Sequence, residues 1–391
     1  MSKRILVAGG SHADIPVILS AKRAGYEVIT SGNNPEDFGH PYGDLYISAD
    51  YSNPEAVLNV AEKFHIDAIV ASANDFSALS CAYVAEKLSL PGHDRFETAE
   101  VLHHKDRFRA LAQRIGLKVP KAIRITKKET TKLRTLPFDY PVMVKPVDLS
   151  GGKGMTRVET PSQLANALQK AFSATRKDYI VIEEYIQGSN HGYSTFLVDG
   201  KIVFAFMDDE HYFLNPFLVS GASTSLKYSK TISQKINRQL ETLAQELQLA
   251  NGLLHVQFIL QDEDPFLIEI CRRTPGDLYV KLVEYATGFP MAEALIDFVS
   301  GNIPNDFSIT DMHWVTRHCV MAKKNGKICG LSHGSFENKI IDKMVFFKQG
   351  DEIRNYLTYK AEIDHILFEN KKELKDFQEK LTSEIRIRLC E

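Results

Sequence analysis

Lys145 ends an apolar run and is followed closely by a glycine-rich segment. The run covers residues 140–146, and a lysine in such a run is costly to bury unless it meets an anion. The segment consists of Ser150, Gly151, Gly152, Lys153, Gly154 and Met155. Its backbone N–H groups could bind phosphate oxygens, although the G-x-x-x-x-G-K-[ST] pattern of a Walker A loop is absent. Alone the segment could be a plain hairpin, but with Lys145 upstream phosphate binding is the better hypothesis.

A second group of candidate residues lies further along the chain, on two short apolar segments joined by a turn. Residues 255–260 and 266–271 are strand-like, and two antiparallel strands would bring Gln257 and Glu269 to one face. A lone carboxylate in an apolar run needs a partner. Mg²⁺ is one such partner, since it binds one or two carboxylates together with phosphate oxygens. Arg273 could bind a phosphate or a carboxylate, or it could form a purely structural ion pair with Glu269.

Two adjacent acids, Glu183 and Glu184, lie near the end of a further apolar strand at residues 179–186. Neighbouring residues in a strand project to opposite sides of the sheet. One of the two carboxylates could therefore bind a ribose hydroxyl or an adenine amine. The alternative is a solvated strand end with no ligand.

The first strand meets a glycine pair, Gly9 and Gly10, which invites comparison with a dinucleotide-binding fingerprint. That fingerprint needs a third glycine and an acid after the second strand, and both are missing here. Nicotinamide binding is therefore disfavoured, and a tight turn or a small-ligand loop remains. Ligands of open α/β sheets bind at the carboxyl ends of the strands. The candidate substrate residues there are Gly10, Ser11, His12, Asn74 and Asp75.

The periodicity of the chain predicts the elements that position these residues. Residues 1–93 alternate strands and helices, which indicates an α/β unit with a parallel sheet. Residues 94–119 form a helical connector, in which Asp94 and Glu97 have capping-box spacing. Residues 120–187 form a small α+β unit. Residues 188–391 are rich in strands and end in a charged segment, 371–389, predicted to be helical. Arg317 in this last unit could contact an anion or form a surface pair.

Composition excludes several classes of partner. With 47 basic and 50 acidic residues, the net charge of −3 gives no indication of a nucleic-acid or anionic-membrane partner. No stretch approaches the roughly 18 apolar residues of a membrane span. The five cysteines are scattered, which argues against a disulfide framework or a zinc knuckle and favours a reducing, cytoplasmic location.

Taken in this order, the four elements resemble the ATP-grasp superfamily, and most closely its biotin carboxylase and carbamoyl-phosphate synthase branch. The resemblance covers nearly the whole chain. It implies an N-terminal Rossmann-like pre-ATP-grasp domain, a small mobile lid at residues 120–187 and a C-terminal antiparallel-sheet domain. By family analogy, a homodimer through the N-terminal unit is also possible.

The resemblance assigns roles to individual residues. Lys105 and Lys145 match the two nucleotide lysines, and residues 150–155 match the phosphate-covering loop. Glu269 matches the Mg²⁺ ligand, and Arg273 matches the arginine that helps to hold the reacting anions. The adenine-binding hinge corresponds to Glu183, Glu184, Tyr185 and Ile186.

Three positions depart from the family pattern. The family usually has an acid at the place of Gln257, whose amide oxygen can still bind a metal without bringing charge. It has an asparagine at the place of Cys271, whose thiol is a poor ligand for a hard ion. A longer segment follows the hinge here and contains His191, which could contact ribose or substrate.

The implied function is that of an ADP-forming ligase that uses ATP and Mg²⁺, with Mn²⁺ as an alternative ion. A small-molecule carboxylate would become an acyl phosphate and then react with an amine, with Arg273, Lys145 and Glu269 as the catalytic residues. Two alternatives stay open. One is a nucleotide-binding protein without ligase activity, suggested by Gln257 and Cys271. The other is a kinase that releases a phosphorylated product.

Overall fold

The first part of the chain forms a parallel four-stranded sheet with helices on both faces. The computed structural model describes residues 2–133, 135–149 and 152–390. The sheet has the order β3-β2-β1-β4, and all its pairings are parallel, as predicted. Along β1, Leu6 and Ala8 pack on one side and Ile5 and Val7 on the other, so the strand is apolar on both faces. The elements are β1 (Arg4–Ala8), α1 (Ile15–Arg23), β2 (Glu27–Gly32), β3 (Leu45–Ser48), α2 (Pro54–Phe64), β4 (Ala68–Ala71) and α3 (Asp75–Leu88).

Two helices connect this unit to the rest of the chain, α4 (Phe96–His103) and α5 (Lys105–Arg114). The chain is extended at His104, which separates them. The capping role predicted for Asp94 is wrong, because Arg95 occupies the N-cap position of α4. The carboxylate of Asp94 instead lies 2.8 Å from Arg272 Nε and accepts a 2.8 Å hydrogen bond from Ala250 N–H. The guanidinium group of Arg272 is a stronger partner for this carboxylate than a helix end.

A small antiparallel sheet with the order β5-β8-β6-β7 follows, covered by one helix. The predicted pattern of strands and one helix is present, with β5 as an additional edge strand. Buried Val142, Val144, Ile180 and Ile182 give this sheet its own apolar core with α6. The elements are β5 (Ala122–Thr126), β6 (Val142–Pro146), β7 (Thr156–Val158), α6 (Leu164–Ala174) and β8 (Tyr179–Glu184).

An eight-stranded antiparallel sheet dominates the remainder, in the order β13-β12-β9-β10-β11-β14-β18-β16. Its two faces pack against different helices, since Tyr193 and Val256 contact α7, whereas Phe196 and Phe204 belong to the core that contains α8 and α9. The strands are β9 (Ser189–Val198), β10 (Lys201–Tyr212), β11 (Val219–Thr224), β12 (Gly252–Gln261), β13 (Asp264–Cys271), β14 (Trp314–Val320), β16 (Ile340–Val345) and β18 (Glu362–Phe368). The helices are α7 (Lys230–Leu247), α8 (Tyr279–Thr287) and α9 (Met291–Val299).

The last segment is more mixed than the sequence predicts. It contains α10 (Lys371–Gln378) and α11 (Leu381–Glu384), but β19 (Arg386–Leu389) is a strand. This strand completes a three-stranded sheet with β15 (Gly326–Ser332) and β17 (Glu352–Ile353). The predicted helix over residues 371–389 is therefore wrong at its end, because the alternating burial of residues 386–389 suits a strand.

One disulfide, Cys329–Cys390, links β15 to the residue after β19. The argument against disulfides from the scattered cysteine positions is wrong for this pair, because the two residues are 61 positions apart and meet only through the pairing of β15 with β19. Cys81, Cys271 and Cys319 are free and buried. Among the residues that the structure describes, no helix combines the length and apolarity that crossing a bilayer requires.

Candidate active site

A cavity of about 560 Å³ lies between the small sheet and the eight-stranded sheet. One wall comes from β6, β8 and the start of α5, and the facing wall comes from β10, β12 and β13. We call the first wall the lid side and the second the floor. The sequence-predicted residues that line the cavity are Lys105, Lys145, Gly152, Met155, Glu183, Glu184, Tyr185, Ile186, Gln257, Glu269, Arg273 and Arg317.

On the lid side, Lys145 and Arg109 share one buried carboxylate. Lys145 Nζ lies 2.6 Å from Glu183 Oε2, and Arg109 Nε lies 3.0 Å from Glu183 Oε1. Burial would raise the pKa of Glu183, but Arg109 and Lys145 outweigh it and lower this pKa to about 2. Burial also lowers the pKa of the Lys145 ammonium, although Glu183 opposes the shift. Two cations against one anion leave a surplus positive charge at this wall.

The strand register explains how Lys145 reaches Glu183. Met143 pairs directly with Glu183 across β6 and β8, and Lys145, two residues further on, projects to the same side. Glu183 therefore positions Lys145 while it also lines the cavity, and the hinge role predicted for it stays a prediction. Glu184 projects the other way, where its Oε1 accepts a 2.9 Å hydrogen bond from Lys121 N–H.

Lys105, the first residue of α5, bridges the two walls. Its Nζ donates to the carbonyl of Leu149 at 2.8 Å and lies 3.5 Å from Glu269 Oε1. The ammonium group thus lies between the end of β6, where the glycine-rich segment begins, and the predicted metal ligand. Its position suits contact with an anion bound in the cavity.

On the floor, a row of polar positions crosses four strands. Glu269 pairs directly with Gln257, Gln257 pairs with Gly192, and Gly192 pairs with Asp208. The predicted convergence of Gln257 and Glu269 on one face is thus present in the register. Gly192 leaves space for the Asp208 carboxylate, since a Cβ at position 192 would lie 2.3 Å from Asp208 Oδ1.

Glu210, two residues beyond Asp208, adds another acid to this face. Its Oε1 accepts a 2.5 Å hydrogen bond from Gln257 Nε2, and its Oε2 accepts a 2.7 Å bond from Tyr212. Burial and the neighbouring Glu210 raise the pKa of Asp208 to about 8, and burial also raises the pKa of Glu210. The surroundings of Asp208 and Glu210 therefore disfavour the ionised form of both carboxyl groups.

The oxygen atoms on the floor suit a hard divalent cation. Glu269 supplies a carboxylate, and Gln257 keeps its amide oxygen for a metal because its Nε2 donates to Glu210. Cys271 is different, since burial raises the pKa of its thiol to about 12. A neutral thiol is a poor ligand for such an ion.

Two arginines, the partly buried Arg273 and the buried Arg317, border the cavity and join the first unit to the large sheet. Arg273 lies 2.6 Å from Asp75 Oδ1, and Arg317 Nη1 lies 3.4 Å from Asp277 Oδ2. His12 Nε2 lies 3.5 Å from the other oxygen of Asp277. Asp75, predicted as a substrate residue, therefore orients Arg273, which lines the cavity, and is not itself a lining residue. Arg317 is buried, which rules out the surface-pair interpretation.

Other predicted site residues have local structural partners. Gly10 packs under His40, Ser11 donates to Asp14 through its N–H and Oγ at 2.7 and 2.9 Å, and Asn74 caps α3. Lys153 and Gly154 are described but are not among the lining residues, whereas Ser150 and Gly151 lie outside the described residues.

His191 is a correction to the expected nucleotide contact. It is paired in register with Asp209 and lies 2.9 Å from its carboxylate, on the face opposite Gly192 and the cavity. The reason is the two-residue alternation of a strand, which gives His191 and Gly192 opposite orientations.

Sequence reasoning missed Arg109, Asp208 and Glu210. A signal existed for Arg109, which lies four residues after Lys105 and therefore on the same helix face. The acids at 208 and 210 also share one face of a strand. Nothing local indicated that this face would be the cavity side, because that depends on the pairing of β10 with β9.

The chain matches a family model described as "Carbamoyl-phosphate synthase L chain, ATP binding domain" over residues 104–303, about half its length. It is 26% identical over 292 residues to the carbamoyl phosphate synthase arginine-specific large chain of Bacillus subtilis. That alignment covers 73% of this chain but only 28% of the relative, so the chain spans well under half of that protein.

Solved structures show the same fold. The L-amino acid ligase from Bacillus licheniformis superposes with a TM-score of 0.83 at 19% identity, covering 100% of both chains. The biotin carboxylase domain of the Hydrogenobacter thermophilus 2-oxoglutarate carboxylase, in complex with MgADP, ADP and bicarbonate, gives 0.78 at 18% identity, covering 99% of this chain and 91% of that one. The chain therefore belongs to the carbamoyl-phosphate synthase L chain ATP-binding domain family, and with it to the ATP-grasp superfamily.

Proposed function

We propose that this protein is a Mg²⁺-dependent, ADP-forming ligase that joins a small-molecule carboxylate to an amine. One observation carries the proposal above the others. The lid side presents Lys145 with its buried carboxylate Glu183, and the floor opposite presents the oxygen ligands Gln257 and Glu269. A cationic wall facing a metal-binding wall is the arrangement that a bound triphosphate requires.

The proposed nucleotide position follows from the lining residues. Lys145 and Lys105 would bind phosphate oxygens, and the N–H groups of the loop around Gly152 would add hydrogen bonds. The apolar side chains of Met143, Ile186 and Ile268 line the same cavity and would hold the flat adenine base. The backbone at Tyr185 and Ile186 would then provide the adenine contacts predicted for the hinge.

Glu269 and Gln257, with Glu210 nearby, would hold the metal ion. When bound, Mg²⁺ or Mn²⁺ offsets the negative charge of the phosphate groups during transfer. The MgADP bound in the Hydrogenobacter thermophilus structure is consistent with this assignment.

The chemistry consists of two displacements. A substrate carboxylate oxygen attacks the γ-phosphorus of ATP, the bond to the β-phosphate oxygen breaks, and ADP leaves. The amine nitrogen then attacks the acyl carbon, inorganic phosphate leaves, and the nitrogen loses a proton. Arg273 and Arg317 would bind the carboxylate and the acyl phosphate, because guanidinium groups pair with such oxyanions in a forked geometry.

We also propose that residues 120–187 act as the lid that keeps water from the acyl phosphate. This region has a separate apolar core, and its Gly152 packs directly against Phe217 of the large sheet's loop. The homodimer and the cytoplasmic location stay predictions.

The test is an assay of ADP and phosphate release with Mg·ATP. A panel of amino acids, dicarboxylates and sugar acids is supplied singly and in pairs, with a Glu269→Gln variant as control. Release that requires two substrates together and is lost in the control supports the ligase. Tight ATP binding without release by any pair would favour a nucleotide-binding protein. A phosphorylated product that persists when amines are present would favour a kinase.

A further inference from the structure

A second group of possible metal ligands lies on the far side of the large sheet. His333 precedes a short 3-10 helix at Gly334–Lys339, and Glu362 and Asp364 lie two residues apart in β18. Residues two apart share a face, whereas His365 between Asp364 and Ile366 faces the other way and pairs in register with Arg317. Since Arg317 lines the active-site cavity, the group of His333, Glu362 and Asp364 lies on the opposite face of the sheet.

The histidine is oriented as a metal-binding histidine would be. His333 Nδ1 lies 2.6 Å from Glu337 Oε2, so a proton on Nδ1 would be donated to that carboxylate. The lone pair of Nε2 would then point at Glu362 Oε1, 2.6 Å away, and towards Asp364 Oδ2, 3.8 Å away. A carboxylate that accepts from the far nitrogen is the usual support of a histidine ligand, because it fixes the tautomer.

Asp364 supplies an independent observation. Its side chain is completely buried, and neither carboxylate oxygen has a hydrogen-bond donor among the described residues. A buried, unpartnered carboxylate is strongly unfavourable. Glu362 lies two residues earlier on the same face of β18 and is also buried. The two acids must therefore share either a proton or a cation.

The charge balance favours a cation. Three carboxylates, from Glu337, Glu362 and Asp364, surround one imidazole. Among the described residues, neither Glu362 nor Asp364 forms an ion pair with a lysine or an arginine, and Lys343 Nζ lies 3.8 Å from Glu337, the most exposed of the three acids. A divalent ion between Glu362 and Asp364 would neutralise both buried carboxylates at once.

We propose that His333, Glu362 and Asp364 bind one divalent transition-metal ion of the Zn²⁺ type, with Glu337 holding the histidine in position. The three ligand atoms all lie within 4.8 Å of one another. Bonds of about 2.0–2.1 Å in a tetrahedral site would place ligand atoms about 3.4 Å apart, and the observed 2.6 and 3.8 Å lie on either side of that spacing. The nitrogen ligand favours Zn²⁺ over Mg²⁺, which prefers oxygen alone.

The role of this ion is structural. It would fasten the 3-10 segment that contains buried Phe336 to β18, next to the core of Phe336, Phe368 and Leu374. The site does not touch the cavity, so the proposal stands or falls independently of the ligase assignment.

The first experiment measures retained zinc in the untagged full-length chain. The protein is loaded with ZnCl₂ in the absence of nucleotide and passed through a desalting column. Its zinc content per chain is then measured by inductively coupled plasma mass spectrometry. The test variant is the double substitution Glu362→Gln with Asp364→Asn. Its matched control, Glu369→Gln with Asp376→Asn, removes the same charge from exposed positions, and Glu269→Gln removes the metal ligand proposed for the active site.

We expect one zinc per chain in the wild type, in the matched control and in Glu269→Gln, and at least a tenfold loss in the test variant. Equal zinc in the wild type and the test variant would overturn the proposal, and would leave a shared proton as the account of Asp364. Loss of zinc in Glu269→Gln alone would also overturn it, by placing the ion in the active site.

A second measurement needs no variant. Addition of one equivalent of ZnCl₂ to the metal-free wild type should raise the thermal unfolding midpoint by several degrees. Co²⁺ in its place should give visible absorption bands of a low-coordinate site. An unchanged midpoint together with no such absorption would contradict the proposal even if the double variant failed to fold.

Discussion

The two walls of the active-site cavity differ in how their buried charges are paired. On the lid side, the buried charges of Lys145, Arg109 and Glu183 are paired with one another. On the floor, Asp208 and Glu210 lie side by side with raised pKa values, and no ammonium or guanidinium forms an ion pair with either among the described residues. The lid side thus keeps its buried charges paired without a ligand and retains a net positive charge, whereas the floor gains most from added positive charge.

This difference indicates where the phosphate groups of a nucleotide and its metal ion would each bind. A preformed cation on the lid side needs little rearrangement to bind phosphate, which is the condition for strong electrostatic stabilisation. The floor is left unfavourable until cations arrive, so metal binding there should also stabilise the fold. Four substitutions test whether the two walls differ in this way.

The largest effect is expected for Glu183→Gln. The change leaves Lys145 and Arg109 buried without their carboxylate, and breaking a buried pair in this manner costs about 3–5 kcal/mol. Chemical denaturation measures the loss. The exposed Glu159, which pairs with Arg157 at the surface, is the control, since Glu159→Gln should cost less than about 1 kcal/mol. Equal losses of unfolding free energy in the two variants would mean that Glu183 does not stabilise the buried Lys145 and Arg109.

Lys145→Met should reduce ATP-dependent product release by about 10²–10³-fold, as removal of one preorganised transition-state contact does. Arg109 still pairs with Glu183 in this variant, so the fold should persist. The assay is initial rate at saturating Mg·ATP, and Lys127→Met, at an exposed position of the same unit, should retain the wild-type rate. A Lys145→Met variant of normal rate would remove the lysine from the mechanism.

On the floor, Gly192→Ala should destabilise the protein by about 1–3 kcal/mol through overpacking. The new methyl group would lie 2.3 Å from Asp208 Oδ1, so the buried Asp208 carboxylate, which accepts a hydrogen bond from Tyr279, would have to shift. Gly276→Ala is a fair comparison, because a Cβ there meets nothing within 4 Å. If both variants unfold at the same urea concentration, the absence of a side chain at Gly192 is not needed to accommodate Asp208.

The fourth effect is a change in how the free energy of unfolding depends on pH. The folded pKa of Asp208 is raised to about 8 from 3.8, so its protonated form favours the folded state. This stabilisation is complete below pH 3.8 and declines as the pH rises towards 8.

In the metal-free protein the wild type should lose up to about 1.4 kcal/mol per pH unit relative to Asp208→Asn within that range. Urea unfolding between pH 5 and 8 measures the difference. Asp311→Asn, at an exposed position, should follow the wild type, and parallel slopes for all three proteins would show that Asp208 ionises normally.

Sequence reasoning succeeded where chemistry and strand periodicity were local. Lys145 at the end of an apolar run correctly indicated a buried cation that needs an anion, and the turn between the two final site strands correctly brought Gln257 and Glu269 together. The parallel sheet of the first unit also followed from alternating elements.

It failed where partners come from distant parts of the chain. The anion that Lys145 meets is Glu183, 38 residues away, and Arg109 joins them from α5. Asp94 resembles a helix cap, but Arg272, the residue after β13, pairs with it. Neither pairing leaves a trace in local spacing, because both depend on which elements pack together.

β18 places neighbouring residues in two separate environments. Asp364 points to His333 on one face, and His365 lies beside Arg317 on the other. A single inserted or deleted residue before Asp364 would exchange these faces along the rest of the strand. The length of this strand is therefore more tightly constrained than its apolar composition, and point substitutions should be tolerated here more readily than insertions or deletions.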